Sequence, residues 1–289
     1  MKIKSTAQLF GVGLGTALGS LALMSTPAFS ATLTQFAGDE NAFLQEICTK
    51  ANLSDCNNNA TIENTLRIAE IQGRAARDNV QSLFLGPKGS NTIPSNALDS
   101  KILNWVNGKN YFWTLTWTPS SPSDGIATFS VFDDSTKTNE LTALTYEYIG
   151  DFNTFNALGL ITRADDGFAS TMNLSVDSYT VDNGSSTPTS ISLSSQSNNS
   201  QSSFQKAFFL LEDNPGEISS SNITQLTGTF AMNWTGNKPI TANVGFAIRL
   251  YDPDDGDDAV TTPEPTTILG LLGVGTLGLV GRKRKIETK

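Results

Sequence analysis

The chain contains no histidine. That absence removes every mechanism built on an imidazole base: the Ser-His-Asp triad, the Cys-His pair and the HExxH zinc site. Cysteine is almost as scarce, with Cys48 and Cys56 the only two in 289 residues. Two thiolates without a histidine cannot fill a tetrahedral zinc site. A disulfide closing one small loop is the expected use of the pair. Basic residues are few away from the termini: of 19 Lys and Arg, two lie near the start and five in the last eight positions, leaving 12, against 26 acids once Glu264 and Glu287 near the end are set aside. A body near −14 does not seek nucleic acid or anionic lipid, because phosphate binding needs a basic surface. Cations, neutral polysaccharide and other proteins are the compatible partners, and no cofactor motif stands in the body.

Long apolar runs are confined to the two ends. At the first, Lys2 and Lys4 form a positive n-region, Leu9 to Met24 an apolar stretch, and Ala28-Phe29-Ser30 a small-residue cleavage pattern before Ala31. This order predicts a removable export signal, cut between Ser30 and Ala31. A permanent anchor fits less well, since the run is short and broken by Gly and Ser. At the other end, Ile268 to Val280 gives thirteen apolar or small residues. As a helix they span about 20 Å, against about 30 Å of hydrocarbon. Such a segment inserts only marginally, with Arg282, Lys283, Arg284 and Lys285 stopping it on the cytoplasmic side. Gly273-Val274-Gly275-Thr276-Leu277-Gly278 has the letters of a dinucleotide loop but follows no strand. In an apolar helix such glycines allow close packing against a partner helix.

Between the ends the pattern changes from helical to alternating. Asp39 is a helix cap, followed by Phe43, Leu44, Ile47 and Ala51 on one face. Ile62, Leu66, Ala69, Gly73, Ala76, Val80 and Leu83 form a second stripe at helical spacing. That run is read as helix, although Leu66 to Ile71 alternates equally well as a strand. Gly86-Pro87-Lys88-Gly89 then breaks it. From Leu98 onward the period is two. Ile102 to Val106, the turn Asn107-Gly108 and Tyr111 to Trp117 read as a hairpin. Further strands are expected at Ala127 to Val131, Leu141 to Ile149, Ala157 to Arg163, Ala169 to Val176 and Lys206 to Leu211. Ser185 to Ser203 reads as a mobile loop around one weak strand, Ile191 to Leu193. Leu226, Gly228, Phe230, Met232 and Trp234 share a face, as do Val244, Phe246, Ile248 and Leu250. Eight to ten short strands with polar outer faces predict a mainly β fold: an antiparallel sandwich or jelly roll with a short N-terminal helical region. The expected organisation is a signal at 1–30, the body at 31–251, an acidic linker at 252–262 and a tail with an apolar helix at 263–289.

Chemistry that survives the lack of histidine is limited. A two-carboxylate glycosidase needs only Asp or Glu across a cleft, and Asp133, Asp134, Asp165 and Asp166 are its candidates. All four sit in turn-like contexts, where paired Asp usually serves turn geometry. The expectation is therefore no catalytic residue and no enzyme. Asp252-Pro253-Asp254-Asp255-Gly256-Asp257-Asp258 offers oxygens for calcium, but the spacing is not that of an EF-hand loop. A solvated linker is the plainer reading, and no metal site is assigned. Trp105, Tyr111, Trp113 and Trp117 suit a sugar-stacking platform, whereas strand alternation sends Tyr111, Trp113 and Trp117 into the core.

One composite signal remains. Pro263-Glu264-Pro265, a Gly-rich apolar segment and Arg282 to Lys285 follow one another in order, and together they resemble the PEP-CTERM sorting signal. The resemblance implies an exported protein that is recognised and processed by exosortase, a membrane-embedded protease of Gram-negative, exopolysaccharide-producing bacteria. Its implied partners are the export translocon, an exosortase-type enzyme and an exopolysaccharide. Trp105-Val106-Asn107-Gly108 and Leu160-Ile161-Thr162-Arg163-Ala164 resemble the β-rich choice-of-anchor domains found ahead of such tails, which carry no assigned activity. The expected role is a non-catalytic cell-surface or matrix protein. The alternative is a secreted carbohydrate-binding module assisted by calcium.

Overall fold

The computed structural model describes residues 31–77, 80–86, 99–119, 124–149, 155–164, 169–198, 201–237, 239 and 244–253. Among these residues the protein is mainly antiparallel β, in two sheets with two short helices. The larger sheet runs β1 (Thr32–Gln35), β11 (Ser203–Asn214), β8 (Ala157–Ala164), β14 (Val244–Tyr251), β2 (Arg67–Arg77), β3 (Val80–Gly86), β4 (Asp99–Ile102), with β12 (Glu217–Ile218) on β11. The smaller runs β10 (Ser186–Asn198), β9 (Ala169–Val181), β13 (Ile223–Trp234), β5 (Asn110–Pro119), β6 (Asp124–Phe132), β7 (Glu140–Ile149). Strand alternation fixes which side chains meet between the sheets. Tyr111, Trp113, Leu115 and Trp117 point inward from β5, and Val244, Phe246, Ile248 and Leu250 from β14. At the β10 end, the Ser195 hydroxyl lies 2.8 Å from that of Thr162 and donates to the Thr162 carbonyl at 2.9 Å, a buried polar tie between the sheets.

The helices cover part of the larger sheet's outer face. Helix α1 (Glu40–Lys50) is capped by Asp39, whose carboxylate accepts from the Ala42 amide at 2.9 Å. Its Phe43, Leu44 and Ile47 form a second core with Ile62 and Leu66 of α2 (Asn59–Leu66) and with Phe208, Leu210 and Tyr251 of the sheet. Phe43 stacks on Phe208 at 4.6 Å between ring centroids. Cys48 and Cys56 form a disulfide that holds the α1–α2 connection against this second core. A bridge closing so short a loop contributes about 2–3 kcal/mol on the chain-entropy account.

Three sequence expectations are corrected. The helical stripe from Ile62 to Leu83 stops at Leu66, and β2 and β3 occupy the remainder. Gly73 explains why. A β-carbon there would lie 2.2 Å from the Phe246 ring, which sits across from it in register and covers it. The same device recurs where Trp113 faces Gly228 and Phe208 faces Gly159. Glycine is weak in both helix and strand, but an aromatic ring laid over it from the next strand restores the lost packing.

The second correction concerns Asn107-Gly108, which does not close a hairpin. β4 pairs with β3, whereas β5 pairs with β13 and β6, so the turn carries the chain from one sheet to the other. Gly108 supplies a φ of +75°. Asn107 accepts from the Trp234 amide at 2.8 Å and donates to its carbonyl at 2.7 Å, pairing like a strand residue with the end of β13. Third, the polar loop at Ser185 to Ser203 is largely the thirteen-residue strand β10. Ser186, Ser190, Ser192 and Ser194 face outward on this edge strand, where no apolar pattern is needed, while Ser195 and Ser197 are buried.

Candidate functional site

The described residues place the sequence candidates as follows. Trp105, Tyr111, Trp113 and Trp117 are all buried, between 0% and 4% exposed, and belong to the intersheet core. They cannot offer their faces to a sugar in this fold. Asp133 pairs with Lys109. Asp134 organises the β6–β7 turn: it accepts from the Thr136 hydroxyl, from the Thr138 amide at 3.2 Å and from the Asn139 amide at 2.8 Å. The Thr136 bond foremost holds its carboxyl down at about 2, from an ordinary 3.8. A group so readily ionised is a poor general acid. Because its folded value is depressed, Asp134 favours the turn above pH ~4, and that contribution is lost as the pH falls through about 2. An NMR titration of the Asp134 carboxyl is expected to show a midpoint near 2, rising to the ordinary carboxylate range in Thr136→Val; an unshifted midpoint in the native protein contradicts the assignment.

Asp165, Asp166 and Asp254 to Asp258 lie outside the described residues, as do the signal-cleavage residue Ser30 and the tail with Pro263, Glu264, Pro265 and Arg282 to Lys285. Asp252 is 2% exposed, and its amide donates to the Leu66 carbonyl at 3.0 Å, so the acidic run starts on the folded body. Ala31, across the expected cleavage point, is also buried, and its carbonyl accepts from Tyr179 Oη at 2.9 Å. Among the described residues no helix is long and apolar enough to cross a membrane, and no group of three His, Cys, Asp or Glu could hold a metal.

A charged cluster that the sequence reading did not assemble lies on the outer face of the larger sheet, beside the helix pair. Four strands supply it in register. Glu70 of β2 is across from Arg249 of β14; Gln72 is across from Ala247; Arg74 is across from Gly245, which is across from Arg163 of β8. Arg249 donates to Glu40 of α1 at 2.6 Å and to Glu63 of α2 at 2.9 Å, and its Nε lies 3.4 Å from Glu70. Glu70, only 3% exposed, also pairs with Arg67 at 2.9 Å and accepts from Gln72 at 2.6 Å. Gln72 in turn accepts from Arg74, and Lys206 pairs with Glu40. Burial alone would lower the proton affinity of Arg249, but the carboxylates of Glu70, Glu63 and Glu40 push it above its ordinary value. It stays charged at any pH the fold survives. Burial likewise pushes Tyr251 up, so its phenol stays neutral. The arrangement locks both helices to the sheet and leaves an open groove of about 410 Å³ between Arg74, Arg163, Phe204 and Arg249.

Its sequence signal was slight. Arg249 and Arg163 are each the lone charge in an otherwise apolar or neutral strand, and Glu70-Ile71-Gln72-Gly73-Arg74 alternates polar and small or apolar. A charge inside a strand that otherwise reads as core marks an outward face needing a partner.

The fold thus defines a two-sheet β protein whose body ends at an acidic run leading to an apolar, basic-tipped tail. Residues 261–285 match the family model of the PEP-CTERM protein-sorting motif. The chain therefore carries the sorting signal of an exosortase substrate. The match covers the tail alone and does not bear on the body's resemblance to choice-of-anchor domains. Comparison with curated proteins finds no match.

Proposed function

We propose that this is an exported surface or matrix protein whose folded β body is delivered by its tail and has no catalytic role. The N-terminal segment directs the chain to the translocon and is cut between Ser30 and Ala31. The marginal C-terminal span then holds the body outside the membrane, with Arg282 to Lys285 inside, until an exosortase-type enzyme processes the chain near Pro263-Glu264-Pro265. The sorting motif at 261–285 carries this reading. The apolar segment supports it in physical terms: a span too short to anchor stably suits a temporary hold. The alternative of a carbohydrate-binding module loses the four aromatics that first suggested it, since all are core.

Replacing Pro263, Glu264 and Pro265 by alanine tests the proposal in the producing bacterium. The variant is expected to accumulate uncut in the membrane fraction while the native protein reaches the surface. Equal distribution of the two proteins would refute the tail's role. Turnover of any glycoside that is abolished by Asp133→Asn or Asp134→Asn would refute the absence of catalysis.

A further inference from the structure

A terminal strand carries a row of unpaired N–H and C=O groups along its outer edge, and folded proteins blunt such edges against pairing with other chains. Among the described residues four strands end the two sheets, and three of them are blunted. Strands β1 and β4 are four residues each, and the Leu33 amide of β1 donates to Tyr179 Oη at 3.3 Å. On β7 the Thr145 amide donates to the Asp99 carboxylate at 3.0 Å, and Glu140 and Glu147 stand exposed along the strand. The fourth, β10, is thirteen residues long and pairs with β9 alone among the described residues. Its first part is guarded by Pro188, which has no N–H, and by a bulge between Pro188 and Ile191. From Ile191 to Asn198 neither device recurs. This stretch pairs with β9 residue for residue and contains no proline, glycine or charge. In an antiparallel ladder every second residue turns its backbone groups away from the partner, so about four residues here direct them outward. Ser195, bonded to Thr162 of the facing sheet, and the buried Ser197 fix the stretch as a strand in advance of any partner.

We propose that Ile191 to Asn198 is a self-association edge, to which a second copy of this chain adds antiparallel about a two-fold axis, joining the two smaller sheets into one. Such an axis brings the same surface of each copy together. In a body that sets 26 acids against 12 bases, most surfaces paired in this way oppose like charges. On β10 the exposed side chains are neutral, Ser190, Ser192, Ser194 and Gln196 among them, so two copies meet there without that repulsion. Their hydroxyl and amide groups can also bond across the new pair. Centred on Ser194, near the middle of the stretch, the pairing sets Ser192 opposite Gln196. An acidic or basic peptide would find no charge to pair with on this edge, whereas a copy of the same neutral edge matches it.

Sedimentation equilibrium of the full chain in density-matched neutral detergent micelles tests the proposal. A reversible dimer is expected, and it should tighten as salt rises, because screening weakens the repulsion between acidic bodies and leaves the neutral edge unaffected. Ser192→Lys combined with Gln196→Lys, both exposed positions, puts like charges across the pair. It should raise the dimer dissociation constant about tenfold or more with the circular dichroism unchanged. Glu140→Gln combined with Glu147→Gln changes the net charge equally on the opposite edge of the sheet and should leave the dimer as tight or tighter. Amide exchange in the native protein should slow within Ile191 to Asn198 as the dimer forms. A monomer at every concentration, or a dimer indifferent to the lysine pair, as one held by the apolar tail would be, overturns the proposal. So does a dimer weakened equally by the glutamine pair, or one formed without slower exchange in Ile191 to Asn198.

Discussion

Trp113→Ala is expected to lower the unfolding free energy of the body by about 3–5 kcal/mol, the range for removing a large buried aromatic. Trp113 is fully buried at the centre of the smaller sheet's inner face. It stacks with Phe129 at 5.7 Å between centroids and covers Gly228 on the neighbouring strand. Collapse cannot refill the space from the β13 side. Moving Gly228 closer is blocked because even a β-carbon there would come within 2.0 Å of the Ser175 carbonyl. For a body of this size each kcal/mol corresponds to about 2–4 °C, so thermal unfolding should shift down by roughly 6–20 °C. A shift of a degree or two would mean that Trp113 does not fill the space between the sheets.

The second large effect is expected at Arg249. Its guanidinium draws carboxylates from α1, α2 and β2 to one point, and its side chain is 18% exposed. In Arg249→Ala, Glu40 keeps Lys206, and Glu63 and Glu70 keep Arg67, but the guanidinium that joins α1, α2 and β2 at one point is gone. Leaving a buried charge uncompensated costs about 3–5 kcal/mol; here each carboxylate keeps a cation and Glu40 and Glu63 are partly exposed, so the loss should fall below that range. The loss should appear first as local opening. Amide exchange should accelerate in α1 and α2 before it does in the intersheet core, since the helices meet the body through this cluster and their own small apolar layer. Arg249→Met, which keeps most of the volume, should open the helices as well. Exchange that rises uniformly, or not at all, would show that Arg249 does not fasten the helix pair.

Much of the architecture was legible because local and global preferences agree. Asp39 followed by Phe43, Leu44 and Ile47 predicts α1, and the structure caps and buries those residues. Tyr111, Trp113, Leu115 and Trp117 alternate with Thr, and that face is the core. The misses share a physical cause in distant partners. Ile62 to Leu83 satisfies a helical period, and what turns it into strand from Arg67 onward is pairing with β14 and the Phe246 ring over Gly73. β10 has no apolar stripe to advertise it, yet it pairs along its length with β9. Asn107-Gly108 has the chemistry of a tight hairpin, but the buried Trp105 and the bonds of Asn107 to Trp234 commit it to a crossing between sheets.

The sorting motif was readable because it is linear: its order and spacing are the signal. The outer-face cluster was not, since Glu40 and Arg249 stand 209 positions apart and meet only once the sheet has formed. The body and the tail therefore divide the protein between two kinds of information. One is written along the chain and read by a processing enzyme; the other exists only in the fold.

Intact mass of the protein recovered from the surface of the producing bacterium tests the central claim most directly. A chain that begins at Ala31 and ends near Pro263 to Pro265, without the apolar segment or Arg282 to Lys285, is the predicted result. A surface form still ending at Lys289 would contradict it.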